Sequence, residues 1–137
     1  MTPVLLDTGP LFAYLSQSDR NHAWAVAQMT AITGPMVTCE PVLTEASYLI
    51  TSRGENPDGL WAFLRAGVIQ VPFRLDSEYE PIAQLMRRYA NVPMDLADAC
   101  LVRLSERHPD WPVFTTDGDF KLYRRFGRQK IPLISPF

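Results

Sequence analysis

Short apolar runs separated by polar turns recur along the chain, and the first of them ends on an acid. The run Val4–Leu6 is followed by Asp7, Thr8, a glycine and Pro10. A continuous apolar run bounded by turn residues is typical of a strand buried on both faces of a parallel sheet. Thr8 can cap a following helix, and Pro10 is tolerated in its first turn. The pattern predicts Asp7 at the carboxyl end of a buried strand; the alternative is that Asp7 or Thr8 merely caps the helix.

The rest of the chain alternates between strand and helix patterns. Further strands are predicted over 36–39, 68–71, 111–117 and 131–134, and helices over 22–34, 40–53, 58–67, 76–90 and from residue 96 onward. Strands alternating with helices form βαβ units, whose strands pair in parallel. The sequence therefore predicts an α/β protein with a mostly parallel sheet between layers of helices. No glycine-rich loop follows any strand, which disfavours a nucleotide cofactor.

A second acid lies within an apolar helical stripe. Glu45 comes three residues after Val42 and four before Leu49, beside Ala46. Helical geometry then predicts that its carboxylate turns toward the core, where an ionised group needs a cation or several donors. The alternative is that Glu45 extends outward from the edge of the stripe.

The helix from residue 96 contains a third acid in an apolar setting. Apart from Asp98, every residue from 96 to 102 is apolar, so the first two turns are predicted to be buried nearly all round. The ordinary alternative is that Asp95 is the N-cap of this helix and that Asp98 lies in its first turn, where a negative charge is favoured by the helix dipole. It explains Asp95 well and Asp98 only in part, because aspartate is rarely buried inside a helix.

A fourth acid repeats the placement of the first. The predicted strand over 111–117 ends on Asp117, as the first strand ends on Asp7. The carboxyl ends of parallel strands meet at one edge of a sheet, which is where ligands bind in open α/β folds. We expect Asp7, Glu45, Asp98 and Asp117 to converge at this edge.

Length and composition indicate one domain over residues 1–137. With 137 residues and 47% hydrophobic content, the chain can bury one core but is short for two. Cys39 and Cys100 lie in apolar sequence and are interpreted as buried free thiols of a reducing compartment. No signal peptide and no apolar run of about 20 residues is present, so no membrane association and a cytoplasmic location are expected.

Charge is distributed unevenly along the chain. The net charge is -2, but residues 121–137 carry five basic residues and no acid, and residues 1–120 carry 8 basic and 15 acidic residues. A basic end segment beside an acidic body can guide a polyanion toward an acid-lined site. The alternative is a solvated terminal helix face.

Four converging carboxylates point to a hard cation. Two carboxylates about 4 Å apart repel by roughly 4 kcal/mol at an effective dielectric near 20, so the group would not stay ionised without a cation. Oxygen ligands favour Mg²⁺ or Mn²⁺, which keep water and substrate phosphate oxygens in their coordination shell. Such a site suits phosphodiester hydrolysis. A glycosidase needs only two carboxylates, and no His, Cys or Ser has a comparable setting for a nucleophile.

The order of these motifs resembles the PIN domain, and more narrowly the VapC-type toxins of bacterial and archaeal toxin-antitoxin pairs. The resemblance covers essentially the whole chain. Its motifs, in order, are Leu6-Asp7-Thr8, Asp19 to Ala23, Val42-Leu-Thr-Glu45-Ala46, Asp98-Ala99 and Thr115-Thr-Asp117-Gly-Asp119-Phe120.

This resemblance implies a five-stranded parallel sheet in a three-layer α/β/α fold and an Mg²⁺- or Mn²⁺-dependent endoribonuclease. It also implies a homodimer, an RNA substrate and inhibition by a cognate antitoxin bound near the acids. Asp7 and Asp98 correspond to the main metal ligands, and Glu45 and Asp117 complete the site, one of them orienting the attacking water.

Three further residues and two further functions stay open on the sequence alone. Thr116 is a candidate to add a hydroxyl, and Asp95 or Asp119 could contribute, although the spacing to Ala99 and Thr115 favours Asp98 and Asp117. The alternatives are a PIN nuclease that acts in RNA processing or on DNA without an antitoxin, and a catalytically silent domain that binds RNA or protein. The size of the chain favours the toxin.

Overall fold

Five short parallel strands form the central sheet of the protein, whose computed structural model describes residues 1–137. The sheet has the strand order β3-β2-β1-β4-β7, and a separate antiparallel hairpin joins β5 to β6. In chain order the strands are β1 (Val4–Leu6), β2 (Met36–Val37), β3 (Ile69–Gln70), β4 (Val113–Phe114), β5 (Arg124–Arg125), β6 (Gln129–Lys130) and β7 (Leu133–Ile134).

Six α-helices and one 3-10 helix connect the strands. The α-helices are α1 (Thr8–Leu15), α2 (His22–Ala31), α3 (Glu40–Ser52), α4 (Asp58–Arg65), α5 (Leu75–Arg88) and α6 (Leu96–Arg107). The 3-10 helix covers Gly118–Lys121. None of the helices combines the length and apolar character needed to cross a membrane.

Alternating side chains of β1 enter two separate apolar cores. Leu5 packs in the core formed mainly by α5 and α6, whereas Val4 and Leu6 pack in the core against α1 and α4. This follows from the two-residue period of a strand, which sends neighbouring side chains to opposite faces. Fully burying each leucine contributes about 1.5–3 kcal/mol. The predicted α/β/α fold with a central parallel sheet is therefore confirmed.

Strands β1 and β4 are neighbours in the sheet although they are far apart in sequence. Leu5 lies opposite Val113 and Leu6 opposite Phe114, and the Asp7 amide donates to the Phe114 carbonyl at 3.0 Å. From β1 the chain adds β2 and β3 on one side of the sheet and later β4 and β7 on the other. The crevice above the carboxyl ends of β1 and β4 is thus the position where open α/β sheets bind ligands.

Some sequence predictions differ from the structure. The observed strands contain only two or three residues, because most residues at the predicted ends leave the ladder. The alternative of a terminal helix face over 121–137 is wrong, since this segment forms the β5–β6 hairpin. Phe126 and Gly127 occupy its turn with φ of 50° and 82°, in the left-handed region. Cys39 and Cys100 are buried free thiols, as predicted.

Candidate active site

Asp7 lies where β1 ends and α1 begins. Its Oδ1 accepts a hydrogen bond from the Thr8 amide at 2.8 Å, and its Oδ2 accepts one from the Thr115 hydroxyl at 2.6 Å. The side chain is the N-cap of α1, and the residue is only 6% exposed. Both interpretations of the first motif therefore apply, because Asp7 caps the helix and also lies in the crevice at the carboxyl end of a buried strand.

Asp98 reaches the same region from the first turn of α6. It is 7% exposed, and its Oδ2 is 3.0 Å from the Tyr123 hydroxyl. The Asp98 amide donates to Oδ1 of Asp95 at 2.8 Å, so Asp95 is the N-cap of α6. The capping explanation accounts for Asp95, which is exposed, but leaves the burial of the Asp98 carboxylate unexplained by helix formation.

The Thr115 hydroxyl joins the ends of β1 and β4. It donates to Asp7 and accepts a hydrogen bond from the Asp117 amide at 2.9 Å. Asp117 in turn accepts from the Asp119 amide at 2.9 Å and caps the 3-10 helix. One buried hydroxyl therefore fixes the main chain that carries Asp117 relative to the carboxylate of Asp7.

The prediction that Glu45 turns toward the core is wrong, because its side chain is exposed. The buried stripe of α3 consists of Val42, Ala46 and Ile50, so the inward face is rotated slightly away from Glu45. Glu45 nevertheless lies close enough to Asp7 for its charge to raise the pKa of Asp7. It stands at the mouth of the site.

Burial and the charges of neighbouring acids raise the pKa of both buried acids. Burial is the main reason that the pKa of Asp7 rises to about 6, against the hydrogen bonds from Thr115 and Thr8, with the charges of Asp117 and Glu45 raising it further.

The pKa of Asp98 is raised further than that of Asp7. Burial raises the pKa of Asp98 to about 8, and the charges of Asp95, Asp7 and Asp117 add to it, against the hydrogen bond from Tyr123. Asp7, Asp98 and Asp117 therefore interact electrostatically at one edge of the sheet, with Glu45 at its mouth. We call these four residues the acidic edge.

The acidic edge has the donor chemistry of a site for a hard cation with few protein ligands. Its groups are carboxylates only, and two of them are desolvated and repel each other, which a cation would relieve. No three His, Cys, Asp or Glu side chains lie close enough to form a metal site by themselves. The two buried carboxylates, Asp7 and Asp98, supply oxygen donors of the kind that Mg²⁺ takes, since Mg²⁺ binds through one or two carboxylates and keeps several waters.

The remaining predicted candidates have different surroundings. Asp119 and Thr116 are half-buried, and Thr116 packs against the first turn of α1. A Cβ at Gly9 would lie 2.0 Å from the Thr116 hydroxyl oxygen, so glycine is required there for this close approach. The Thr8 hydroxyl is buried without a hydrogen-bond partner next to Asp7.

Thr115 and Tyr123 contact the acids, but the sequence alone did not predict a role for either residue. Thr115 belonged to a quoted motif, and its position two residues before Asp117 was the available signal. Tyr123 gave no signal, because the fold alone brings its hydroxyl to within 3.0 Å of both Asp98 Oδ2 and the Pro93 carbonyl oxygen. Burial and the Asp98 charge raise the pKa of Tyr123, so its hydroxyl remains a hydrogen-bond donor.

Comparisons with known proteins find a matching family and a similar fold. The family model described as PIN domain matches residues 4–125. Ribonuclease VapC26 of Mycobacterium tuberculosis is 23% identical over 142 residues, which cover 96% of this chain and 99% of the relative. The crystal structure of VapC20, a Sarcin-Ricin loop cleaving toxin of the same organism, superposes with a TM-score of 0.76 at 19% identity, covering 92% of this chain and 98% of that chain.

Proposed function

The chain belongs to the PIN domain family, and on that premise we propose that it is an Mg²⁺- or Mn²⁺-dependent endoribonuclease, the toxin of a prokaryotic toxin-antitoxin pair. The similarity to Ribonuclease VapC26 supports the activity. The observation that carries the proposal is the pair of buried carboxylates, Asp7 from the end of β1 and Asp98 from α6. Burial raises the pKa of both, and the charge of Asp7 raises the pKa of Asp98 further. Their positions are difficult to explain by stability alone.

The proposed roles follow the surroundings of each acid. Asp7 and Asp98 hold the metal ion, because they are the buried pair that most needs a counter-charge. Glu45 and Asp117, which are more accessible, complete the site, and one of them orients the attacking water. When bound, Mg²⁺ or Mn²⁺ polarises the phosphate and lowers the pKa of a water molecule. Thr116 adds a hydroxyl beside Asp117.

The neighbouring residues keep the acids in position. Thr8 and Thr115 each donate to a different oxygen of Asp7, which fixes the plane of its carboxylate. Tyr123 donates to Asp98. These donors stabilise the ionised forms of Asp7 and Asp98 that a metal ion requires.

A groove beside the acids supports the proposal of an antitoxin partner. It has a volume of about 610 Å³, and its lining includes Tyr48, Leu75 and Leu96 together with the acids Glu45 and Asp95. All three apolar side chains are at least 37% exposed. A partner segment with apolar and basic side chains would fill this groove and block Glu45.

Three further features belong to the same proposal. We propose that residues 1–137 act as a single nuclease domain, supported by the one central sheet. A homodimer is proposed from the resemblance and from exposed apolar side chains such as Tyr79, which is 60% exposed. A cytoplasmic location is proposed because Cys39 and Cys100 are free thiols.

RNA cleavage by the purified protein tests the proposal. Wild type, Asp7→Asn and Asp110→Asn are each incubated with RNA in Mn²⁺ and in EDTA. Asp110 is an exposed acid that precedes β4, at the opposite edge of the sheet, so its variant is a matched control for loss of one charge. We expect cleavage by wild type and Asp110→Asn in Mn²⁺ only, and a loss of at least about 100-fold in Asp7→Asn.

Two results would contradict the proposal. Equal binding and cleavage of RNA by wild type and Asp7→Asn would show that the acidic edge is not the active site. Metal binding and RNA binding without turnover of any RNA would indicate a silent binding domain instead.

A further inference from the structure

Three cations line a cleft on the side of the β5–β6 hairpin. Lys121, Arg124 and Lys130 border this cleft of about 230 Å³, and the apolar side chains of Phe120, Ile131 and Leu133 form the rest of its wall. No acid lines it. We call Lys121, Arg124 and Lys130 together the basic cleft.

The three cations have no carboxylate partner in the protein. Every ion pair in the chain uses Arg74, Arg103 or Arg107. Lys121 and Lys130 are exposed, and Arg124 donates to main-chain carbonyl oxygens through Nη1 only. Lys121 Nζ also lies 4.3 Å from the centroid of the Phe137 ring, a contact that leaves its charge without a counter-ion. The cations of the basic cleft therefore have no carboxylate to compete with an anionic ligand.

Not every basic residue of this segment has the same use. Arg125 is 8% exposed and donates to the carbonyl oxygens of Ser105 and Pro109, which anchors the hairpin to the end of α6. Because its guanidinium is buried, Arg125 is not accessible to a ligand. The neighbouring Arg124 lies opposite Lys130 in the hairpin register, which places two cations on adjacent strands at the cleft.

The basic cleft is directly connected to the acidic edge. Asp117 caps the 3-10 helix that ends at Lys121, and such a helix rises about 2 Å per residue, so the two residues are separated by roughly 8 Å along the chain. Tyr123, between Lys121 and Arg124 in sequence, hydrogen-bonds Asp98. The cleft and the acids are thus joined by one short helix and by the hydrogen bond of Tyr123.

The charge distribution identifies the kind of ligand. Residues 1–120 carry 8 basic and 15 acidic residues, so most of the protein repels a polyanion. Unpaired cations beside an acidic site provide the local attraction that a substrate with many phosphates needs, through release of its counterions. Apolar side chains next to the cations can also contact sugar or base surfaces.

We propose that the basic cleft binds a phosphate group of the RNA strand next to the acidic edge and is therefore a substrate subsite. This inference rests on the proposed function. Lys121 and Lys130 neutralise the phosphate, and Arg124, oriented by its carbonyl contacts, donates to its oxygens. The cleft holds the strand while the acids act on a neighbouring phosphodiester.

A charge-reversal experiment tests the subsite. Lys121→Glu/Lys130→Glu is compared with Arg20→Glu/Arg65→Glu, which changes the net charge equally at exposed positions outside the cleft. Binding to single-stranded RNA is measured in EDTA, across salt concentrations around 0.1 M, and cleavage kinetics are measured in Mn²⁺. Melting temperatures establish that both variants are folded.

We expect the cleft variant to bind RNA at least about 10-fold more weakly and to lose about 0.7 from the slope of log affinity against log salt, the value for one phosphate contact on a single strand. Its KM should rise while kcat at saturating RNA stays near the wild-type value. The control variant should lose less than about threefold in affinity, from the general change in charge.

Three outcomes would overturn the inference. Equal RNA affinity in the two double variants would show that the cleft is only a solvated surface. An equal weakening of binding to a poly-aspartate peptide would indicate a site for acidic protein segments. Absence of RNA binding by wild type would remove the subsite itself. By contrast, wild type that binds RNA through the cleft but never cleaves it would contradict the proposed function alone.

Discussion

At the scale of single residues, the Thr115 hydroxyl connects two of the candidate acids. It donates to Asp7 at 2.6 Å and accepts from the Asp117 amide at 2.9 Å. Thr115→Val keeps the shape of the side chain but leaves both groups without a partner. We expect a loss of about 1–2 kcal/mol in unfolding free energy and a 10- to 100-fold slower RNA cleavage, measured by denaturant unfolding and by initial rates.

Thr115→Ser is the matched control, because it retains the hydroxyl. It should preserve most of the cleavage rate and cost only the packing of one methyl group. A Thr115→Val variant that cleaves as fast as Thr115→Ser would show that the hydrogen bond does not position Asp7.

The raised pKa of Asp98 predicts how stability depends on pH. Its folded pKa is about 8 and that of Asp7 about 6, whereas an unfolded aspartate titrates near 3.9. Between these values the native state binds more protons than the unfolded state, so stability falls as pH rises. We expect the melting temperature of the metal-free protein to fall by several degrees from about pH 5 to about pH 8.

Asp98→Asn removes the larger of these two contributions. It should abolish cleavage, flatten the pH profile and leave the metal-free protein at least as stable as wild type at about pH 8. A large fall in its melting temperature would instead show that Asp98 is a structural residue. Adding Mn²⁺ to wild type should restore stability at high pH, because the ion binds only the folded state.

At the scale of elements, Glu78 joins α5 to α6, the helix that carries Asp98. Glu78 is buried, and Arg103 donates to it at 2.7 Å while Arg107 donates to its other oxygen. Burial works to raise the pKa of Glu78, but the hydrogen bonds from the two arginines outweigh it and lower the pKa. Ionised Glu78 therefore stabilises the folded protein at pH values above its unfolded pKa. This stabilisation is lost as the pH falls through its folded pKa.

Two substitutions in α5 separate this buried contact from a surface one. Glu78→Gln should cost about 1–3 kcal/mol of unfolding free energy, since it leaves two arginines without their carboxylate. Asp76→Asn removes an ion pair with Arg74 whose side chains are 69% and 74% exposed, and should leave the melting temperature unchanged. Equal effects in urea unfolding would show that Glu78 does not hold the two helices together.

The sequence pattern predicted helices correctly where the apolar periodicity was strong. It failed for side-chain orientations and contacts that depend on tertiary packing. The helix over 40–53 is observed as Glu40–Ser52, and the burial predicted around Asp98 is found from Ala97 to Val102. The orientation of Glu45 was wrong because a small rotation of α3 about its axis selects Ile50 for the core. Contacts such as that of Tyr123 with Asp98 depend on packing between distant segments, which no local pattern encodes.

At the scale of the whole molecule, the topology explains why distant acids meet. Asp7 and Asp117 follow adjacent strands that are more than a hundred positions apart in sequence, and α6 leads directly into β4. Strand-end acids were therefore predictable from the rule for parallel sheets, because that rule concerns strand ends rather than particular neighbours. The sequence predicted only that residues 121–137 are basic. Which of these cations line the cleft without a carboxylate partner depends on the folded hairpin.

The most direct test of the acidic edge as a metal-dependent nuclease site is the Mn²⁺ dependence of RNA cleavage, with Mn²⁺ binding measured calorimetrically on the same sample. For wild type we expect Mn²⁺ binding and RNA cleavage to reach half of their maximum at the same Mn²⁺ concentration. Asp98→Asn should lose both Mn²⁺ binding and cleavage. Cleavage that persists in EDTA, or Mn²⁺ binding that Asp98→Asn leaves unchanged, would contradict the assignment of the metal ion and the chemistry to these four acids.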